Sequence, residues 1–226
     1  MARLAYLILL FGFSLSYGQT QPADFDYSED KRRIDNLISF PEIKGNISVI
    51  ISCFSRIQPS GKMKDTGCYL KNNYDELFVK TVNTAARKAR MNPAKVDGKA
   101  RRVFLQFLVQ FIQKDEDKRI NFYLNPGYPE NIKAYGPAHI AGQRVINKTE
   151  PWNNACPKRA RWAVYVKTYL GADGIADSPS IEHVDGIVPA VTCQNAIKQT
   201  IMLSRYTPAL ADGVAVPSTF IEPFSN

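Results

Sequence analysis

The sequence predicts an α+β fold made of two tandem β-β-α-β modules, each a helix packed on a small antiparallel sheet. Three observations lead there. Pro93-Ala94-Lys95-Val96-Asp97-Gly98 recurs as Pro208-Ala209-Leu210-Ala211-Asp212-Gly213. Each copy is preceded by a hairpin pattern and then a helical one. Each is followed by an aromatic pair four residues apart, Phe107 with Phe111 and Phe220 with Phe224. One such match could be chance; the same features in the same order twice mark an internal repeat.

In the first copy, Ile47, Val49, Ile51 and Cys53 alternate with Asn46, Ser48 and Ser52, the pattern of a half-buried strand. Pro59-Ser60-Gly61 supplies a turn, because Pro fixes φ and Gly accepts the left-handed conformation. A return strand follows from Met63 to Leu70. Asn73 with Glu76 resembles a capping box, and Phe78, Val82, Ala85, Ala86 and Ala89 then fall on one helical face. The helix must stop before Pro93, which has no N–H for the ladder and disfavours helical geometry in Asn92. Asp97-Gly98 turns the chain into the clearest strand of the sequence, with Val103, Leu105, Phe107, Val109 and Phe111 on one face. Phe104, Gln106, Leu108 and Gln110 occupy the other.

The second copy repeats the plan. Trp162, Val164, Val166 and Leu170 form a strand face, Asp173-Gly174 a hairpin turn, and Ile175 to Val184 the return strand. Pro189 suits a first helical turn, and Cys193, Ile197 and Ile201 make the apolar stripe. The last strand carries Val216, Phe220 and Phe224, but Pro217 and Pro223 confine it to a short or edge position.

The remaining segments divide the chain. Arg3, the apolar run Leu4 to Phe13, and Ser16-Tyr17-Gly18 have the order of a cleavable secretory signal over 1–18. Retention of that segment as an anchor is the alternative. Residues 19–40 read as a flexible or short helical N-terminal segment, 41–113 as the first module and 156–226 as the second. Between them, 114–155 reads as linker and loop: Lys114 to Arg119 is a charge run, and Asn121 to Pro137 is rich in Pro, Gly, Tyr and Asn, with at most a short helix near Glu130 to Tyr135.

Export makes the four cysteines readable as disulfides. Cys53 and Cys68 lie equally far from Ser60-Gly61, so antiparallel pairing sets them opposite each other. Cys156 and Cys193 pair by elimination, one of three connectivities that four cysteines allow. With 29 Lys and Arg against 21 Asp and Glu the chain is basic, about +7 once Arg3 leaves with the signal. Such a charge draws an exported protein toward anionic envelope surfaces, though solubility alone accounts for it too. Nucleic acid is not an expected partner in this compartment.

From Gly45 through Arg90-Met91-Asn92-Pro93-Ala94 and Asp97-Gly98-Lys99 to Phe111, the first copy resembles a TonB C-terminal domain. The second, Trp162 to Phe224, is similar but lacks the Lys after Asp212-Gly213. The resemblance implies a helix on a three-stranded sheet that receives a peptide from an outer-membrane receptor, often as an added strand. The cleavable leader and the absence of a long Pro-rich spacer depart from the energy-transducing members of that family.

The function expected is therefore a periplasmic adaptor that binds a peptide or envelope protein by strand addition, without a cofactor, metal or catalytic group. The expected docking edge is the strand bearing Arg101, Arg102, Phe104, Gln106, Leu108 and Gln110. Two alternatives stand beside it. One is an inner-membrane-anchored transducer, with membrane contact only through a retained leader. The other is a structural or cell-wall-associated protein. No Gly-x-Ser-x-Gly turn, phosphate loop or metal-ligand helix accompanies His139 or His183, and the latter reads as a surface pair with Asp185.

Overall fold

The computed structural model describes residues 20–25, 30–70 and 75–225; the leader 1–18 and the capping Asn73 lie outside them. The chain is mixed α+β with several antiparallel sheets. After a short helix α1 (Ile34–Leu37), β1 (Ile47–Ile57) and β2 (Met63–Cys68) form the expected hairpin. Alternation puts Ile51, Cys53 and Ile57 inside, fully buried. Gly61 in its turn has φ 74°, and its carbonyl accepts the Met91 N–H at 3.0 Å. A Cβ there would be driven into the Met91 carbonyl oxygen. Gly61→Ala is expected to cost about 1–3 kcal/mol in chemical denaturation, since the strained φ and the backbone clash act together.

The helix α2 (Asp75–Lys88) lays Phe78, Val82, Ala85 and Ala86 on this sheet. Two-residue strands β3 (Lys95–Val96) and β4 (Lys99–Ala100) then pair around Asp97-Gly98. Both turn residues have positive φ, 52° and 71°, the type I′ geometry that matches strand twist. β5 (Val103–Lys114) pairs with β1 along its whole length, from Ile57↔Val103 to Ile47↔Gln113. Its odd-numbered face, Val103 to Phe111, is fully buried under α2.

Residues 114–155 are not a linker. Asp115, at φ 55°, turns β5 directly into β6 (Asp117–Tyr123), so the charge run is the tip of a hairpin. Only the tip is charged; Ile120 and Phe122 of the returning strand pack on the first core, Phe122 stacked 5.1 Å from Phe107. α3 (Pro129–Tyr135) is the expected short helix. β7 (Gln143–Val145) then pairs with the start of β5 at Val103↔Val145 and Phe104↔Arg144, and α4 (Trp152–Ala155) follows.

β8 (Trp162–Leu170), β9 (Ala176–Gly186) and α5 (Val191–Leu203) form next, with Cys193, Ile197 and Ile201 fully buried. Pro189 lies just before the helix rather than in its first turn. β10 (Tyr206–Thr207) leaves the helix and pairs with β7, extending the first sheet to the order β10-β7-β5-β1-β2, with β6 beside β5. β11 (Ala209–Ala211) and β12 (Val214–Val216) make a second type I′ hairpin at Asp212-Gly213, φ 49° and 79°. β13 (Ser218–Ser225) closes a sheet of order β13-β8-β9, an edge strand as its prolines require.

Where it is described, the N-terminal segment is not a free tail. Ala23 and Phe25 are buried, and the Gln143 side chain holds both the N–H and the carbonyl of Ala23 at 2.8 Å. Residues 20–25 thus fill the first core, which a sequence with no regular period there did not announce. Both disulfides have the expected pairing: Cys53–Cys68 across the first hairpin, Cα atoms 4.0 Å apart, and Cys156–Cys193, 4.7 Å apart. They suit folding in an oxidising, exported setting. No helix among the described residues is long and apolar enough to cross a membrane.

Candidate functional site

The expected docking edge on β5 is closed over most of its length. β1 pairs along one side, while β6 takes positions 108–114 and β7 takes 103–104 on the other. Apart from the exposed Arg101 side chain, its named residues are engaged within the protein. Arg101 is exposed, and its N–H donates to Ala94; Arg102 donates to the Asn147 carbonyl at 3.3 Å. Phe104 is buried and stacks on Phe54 at 5.8 Å. Gln106 accepts from the Tyr128 hydroxyl at 3.2 Å, and Gln110 from Asn121 at 3.1 Å. Leu108 is half-buried opposite Tyr123. Edge and face are filled by different parts of the chain: β6 and β7 pair with the edge, while Phe104 on the second face packs into the core of the second sheet.

The edges at β13, β9 and β2 are also protected. Along β13, side chains of α3 take the place of a neighbouring strand. Asn131 accepts from the Thr219 N–H and donates to its carbonyl, at 3.0 and 2.9 Å. Just before the helix the Tyr128 hydroxyl shares its one proton between Gln106 and the Ile221 carbonyl, 3.0 Å away, and within the helix Tyr135 donates to Pro217 at 2.7 Å. Pro223 offers no N–H at the next outward position. β9 carries Pro179 and two bulges, and β2 carries Lys64 and a bulge at Asp65, φ 51°. Bulges, prolines and edge lysines are the devices by which sheets resist strand addition.

What the fold does open is a cleft between the two sheets. The outer face of β1 presents Ser52, Phe54 and Arg56; β8 and β13 present Tyr165 and Pro223 across from it. Two adjoining cavities, about 150 and 240 Å³, share Tyr69, Tyr165 and Pro223 as their common wall. An aromatic path runs from Phe104 through Phe54 and Tyr69 to Tyr165, with centroids 5.7–6.4 Å apart. The Tyr69 hydroxyl has no hydrogen-bond partner among the described residues, and burial pushes its pKa well up, so it stays a neutral donor.

The floor is a buried charge cluster. Arg144, 2 % exposed, grips Glu222 with Nε and Nη2, both at 2.7 Å. Its Nη1 donates to Glu150 at 2.5 Å and to Ser204 at 3.1 Å. Glu150 also receives the Trp152 indole N–H at 2.9 Å. Burial opposes the charge on Arg144, but Glu222 and Glu150 outweigh it and hold the guanidinium ionised. One cation faces two carboxylates, and Glu222, fully enclosed, has its pKa raised by burial against the pull of Arg144.

Sequence reasoning missed this site because its members come from β1, β5, β7, β8 and β13. One signal was present: Glu222 sits alone between Ile221 and Pro223 in an apolar strand, and a buried carboxylate needs a partner. His183 and Asp185 form the expected exposed pair, 2.6 Å apart. His139 is buried with Nδ1 on the Gly136 carbonyl. Among the described residues no three His, Cys, Asp or Glu side chains gather as a metal site. No family model, curated protein or solved structure matches this chain.

Proposed function

We propose that this chain is a non-catalytic binding protein of the periplasm, made of two copies of one β-β-α-β unit of the TonB C-terminal type. It recognises a peptide or envelope protein through the inter-sheet cleft, not through β5. The duplication is supported by strand order: β5-β1-β2 and β13-β8-β9 both set the last strand beside the first. In both halves a Pro-Ala-x-x-Asp-Gly hairpin precedes that last strand. The adaptor role is supported by what the halves create together, a concave apolar wall with a few polar groups aimed into it, the usual form of a recognition site.

The observation that carries the reading is the Tyr69–Tyr165 contact, 6.4 Å between centroids, which spans the two halves beside a Tyr69 hydroxyl that has no partner among the described residues. Short random peptides selected on the folded protein are expected to lose about tenfold or more in affinity on Tyr69→Ala or Tyr165→Ala. Selected peptides that bind both variants as tightly as the parent would remove the cleft from the proposal.

A further inference from the structure

The loop between β9 and α5 is the most exposed apolar segment that the cleft does not use. Ile187, Val188 and Val191 are 62 %, 65 % and 67 % exposed, and Ala190 between them is exposed too. A core has no use for such residues, and three large aliphatics within five positions exceed the scattered exposure that any surface shows. Pro189, by contrast, is buried, and its carbonyl accepts from the Gln194 side chain at 2.8 Å. The loop is therefore held from beneath while its apolar groups face outward.

A second segment is fixed beside it. The Ile187 N–H donates to the Arg161 carbonyl at 3.1 Å, and Trp162 lies opposite Gly186 in the ladder. The Cys156–Cys193 disulfide ties the start of Cys156 to Arg161 to the first turns of α5, which begin at Val191. Gly186, at φ 75°, comes so close to the Arg161 carbonyl that any Cβ would collide with it. Arg161 is thereby fixed beside the apolar tip, and Lys158 and Arg159 lie in the segment tied between it and the disulfide, all three exposed. Arg159 and Arg161 make no ion pair among the described residues.

We infer that this end of the protein docks on a bilayer surface bearing anionic headgroups. Aliphatic residues at a tip with cations behind them match the layering of such a surface, hydrocarbon beneath phosphate. The exposed aliphatic groups of this loop form a surface contact rather than part of the inter-sheet cleft, which suits a deformable plane. The net charge, about +7 once Arg3 leaves with the leader, favours the same partner. The leader plays no part, so docking is a property of the folded protein and independent of the cleft.

The test uses the purified exported chain with vesicles of phosphatidylcholine alone or with added phosphatidylglycerol. Co-sedimentation is expected only with the anionic vesicles and should weaken as salt rises. Arg159→Glu with Arg161→Glu should lower binding about tenfold or more, and Val188→Asp with Val191→Asp comparably. Val188→Trp reports insertion directly, by a blue-shifted emission on adding anionic vesicles, in a chain whose surface is otherwise intact. Absence of binding to anionic vesicles, equal binding by the charge-reversed variant, or an unshifted emission from Val188→Trp would each overturn the proposal. So would loss of self-association by the Asp variants with lipid binding unchanged, which would assign the tip to a second copy of the chain.

Discussion

Arg144→Met should destabilise the fold by about 3–5 kcal/mol, the cost of leaving buried carboxylates without their counter-charge. The guanidinium closes the space between β7, β13 and α4 through hydrogen bonds from all three of its nitrogens, and its loss strands Glu222 and Glu150 together. The penalty belongs to the unpaired charge rather than to the pair. Removing Glu222 as well, in Arg144→Met with Glu222→Leu, should therefore recover much of it. Chemical denaturation of the single and double variants measures both; a single-variant cost below about 1 kcal/mol would show that the cluster relaxes into solvent. The pH dependence follows from the direction of the Glu222 shift. Because its pKa is raised in the folded state, its contribution to stability is complete below the ordinary carboxylate value. It fades as pH rises through the raised one. Glu222→Gln should flatten that limb of the stability profile.

Removing the two disulfides is the other large effect. Cys53–Cys68 spans 15 residues and Cys156–Cys193 spans 37. By loop-closure entropy they contribute about 3 and 4 kcal/mol respectively, acting on the unfolded chain. Paired Cys→Ser and Cys→Ala replacements should lower the denaturation midpoint in that order, the longer loop costing more. The two should differ in a second respect. The first bond joins strands already paired by β1–β2 hydrogen bonds, so its loss leaves the hairpin in place. The second joins α5 to a segment without regular pairing at Cys156, so its loss should also raise the protease sensitivity of 156–161. Equal midpoints and equal proteolysis in the two variants would contradict the account.

Much of this fold was legible in the sequence because its signals are short-ranged. Alternation in Ile47–Cys53 and in Val103–Phe111 marked two strands and the buried face of each. The stripe from Phe78 to Ala89 marked α2, and two Asp-Gly pairs marked two tight hairpins. The symmetric spacing of Cys53 and Cys68 located a disulfide. The candidate site was read poorly. The pattern of β5 is that of an open edge as much as a covered one, since nothing in Val103–Lys114 says what lies beside it. The charge run that follows read as a linker, because a charged hairpin tip looks like solvent-facing chain in any setting. Residues 20–25 read as part of a loose tail because their anchor, Gln143, is 120 positions away.

By itself the sequence determined what depends on neighbours along the chain: which stretches are extended or helical, which face of each is apolar, and where the backbone must turn. The tertiary structure alone decided which edges are covered and which side chains meet in the cleft. It also decided that Arg144, Glu150 and Glu222 share one buried point. The reason is that periodicity encodes a buried face but not the identity of what buries it. A polar side chain reveals its partner only once distant segments have packed.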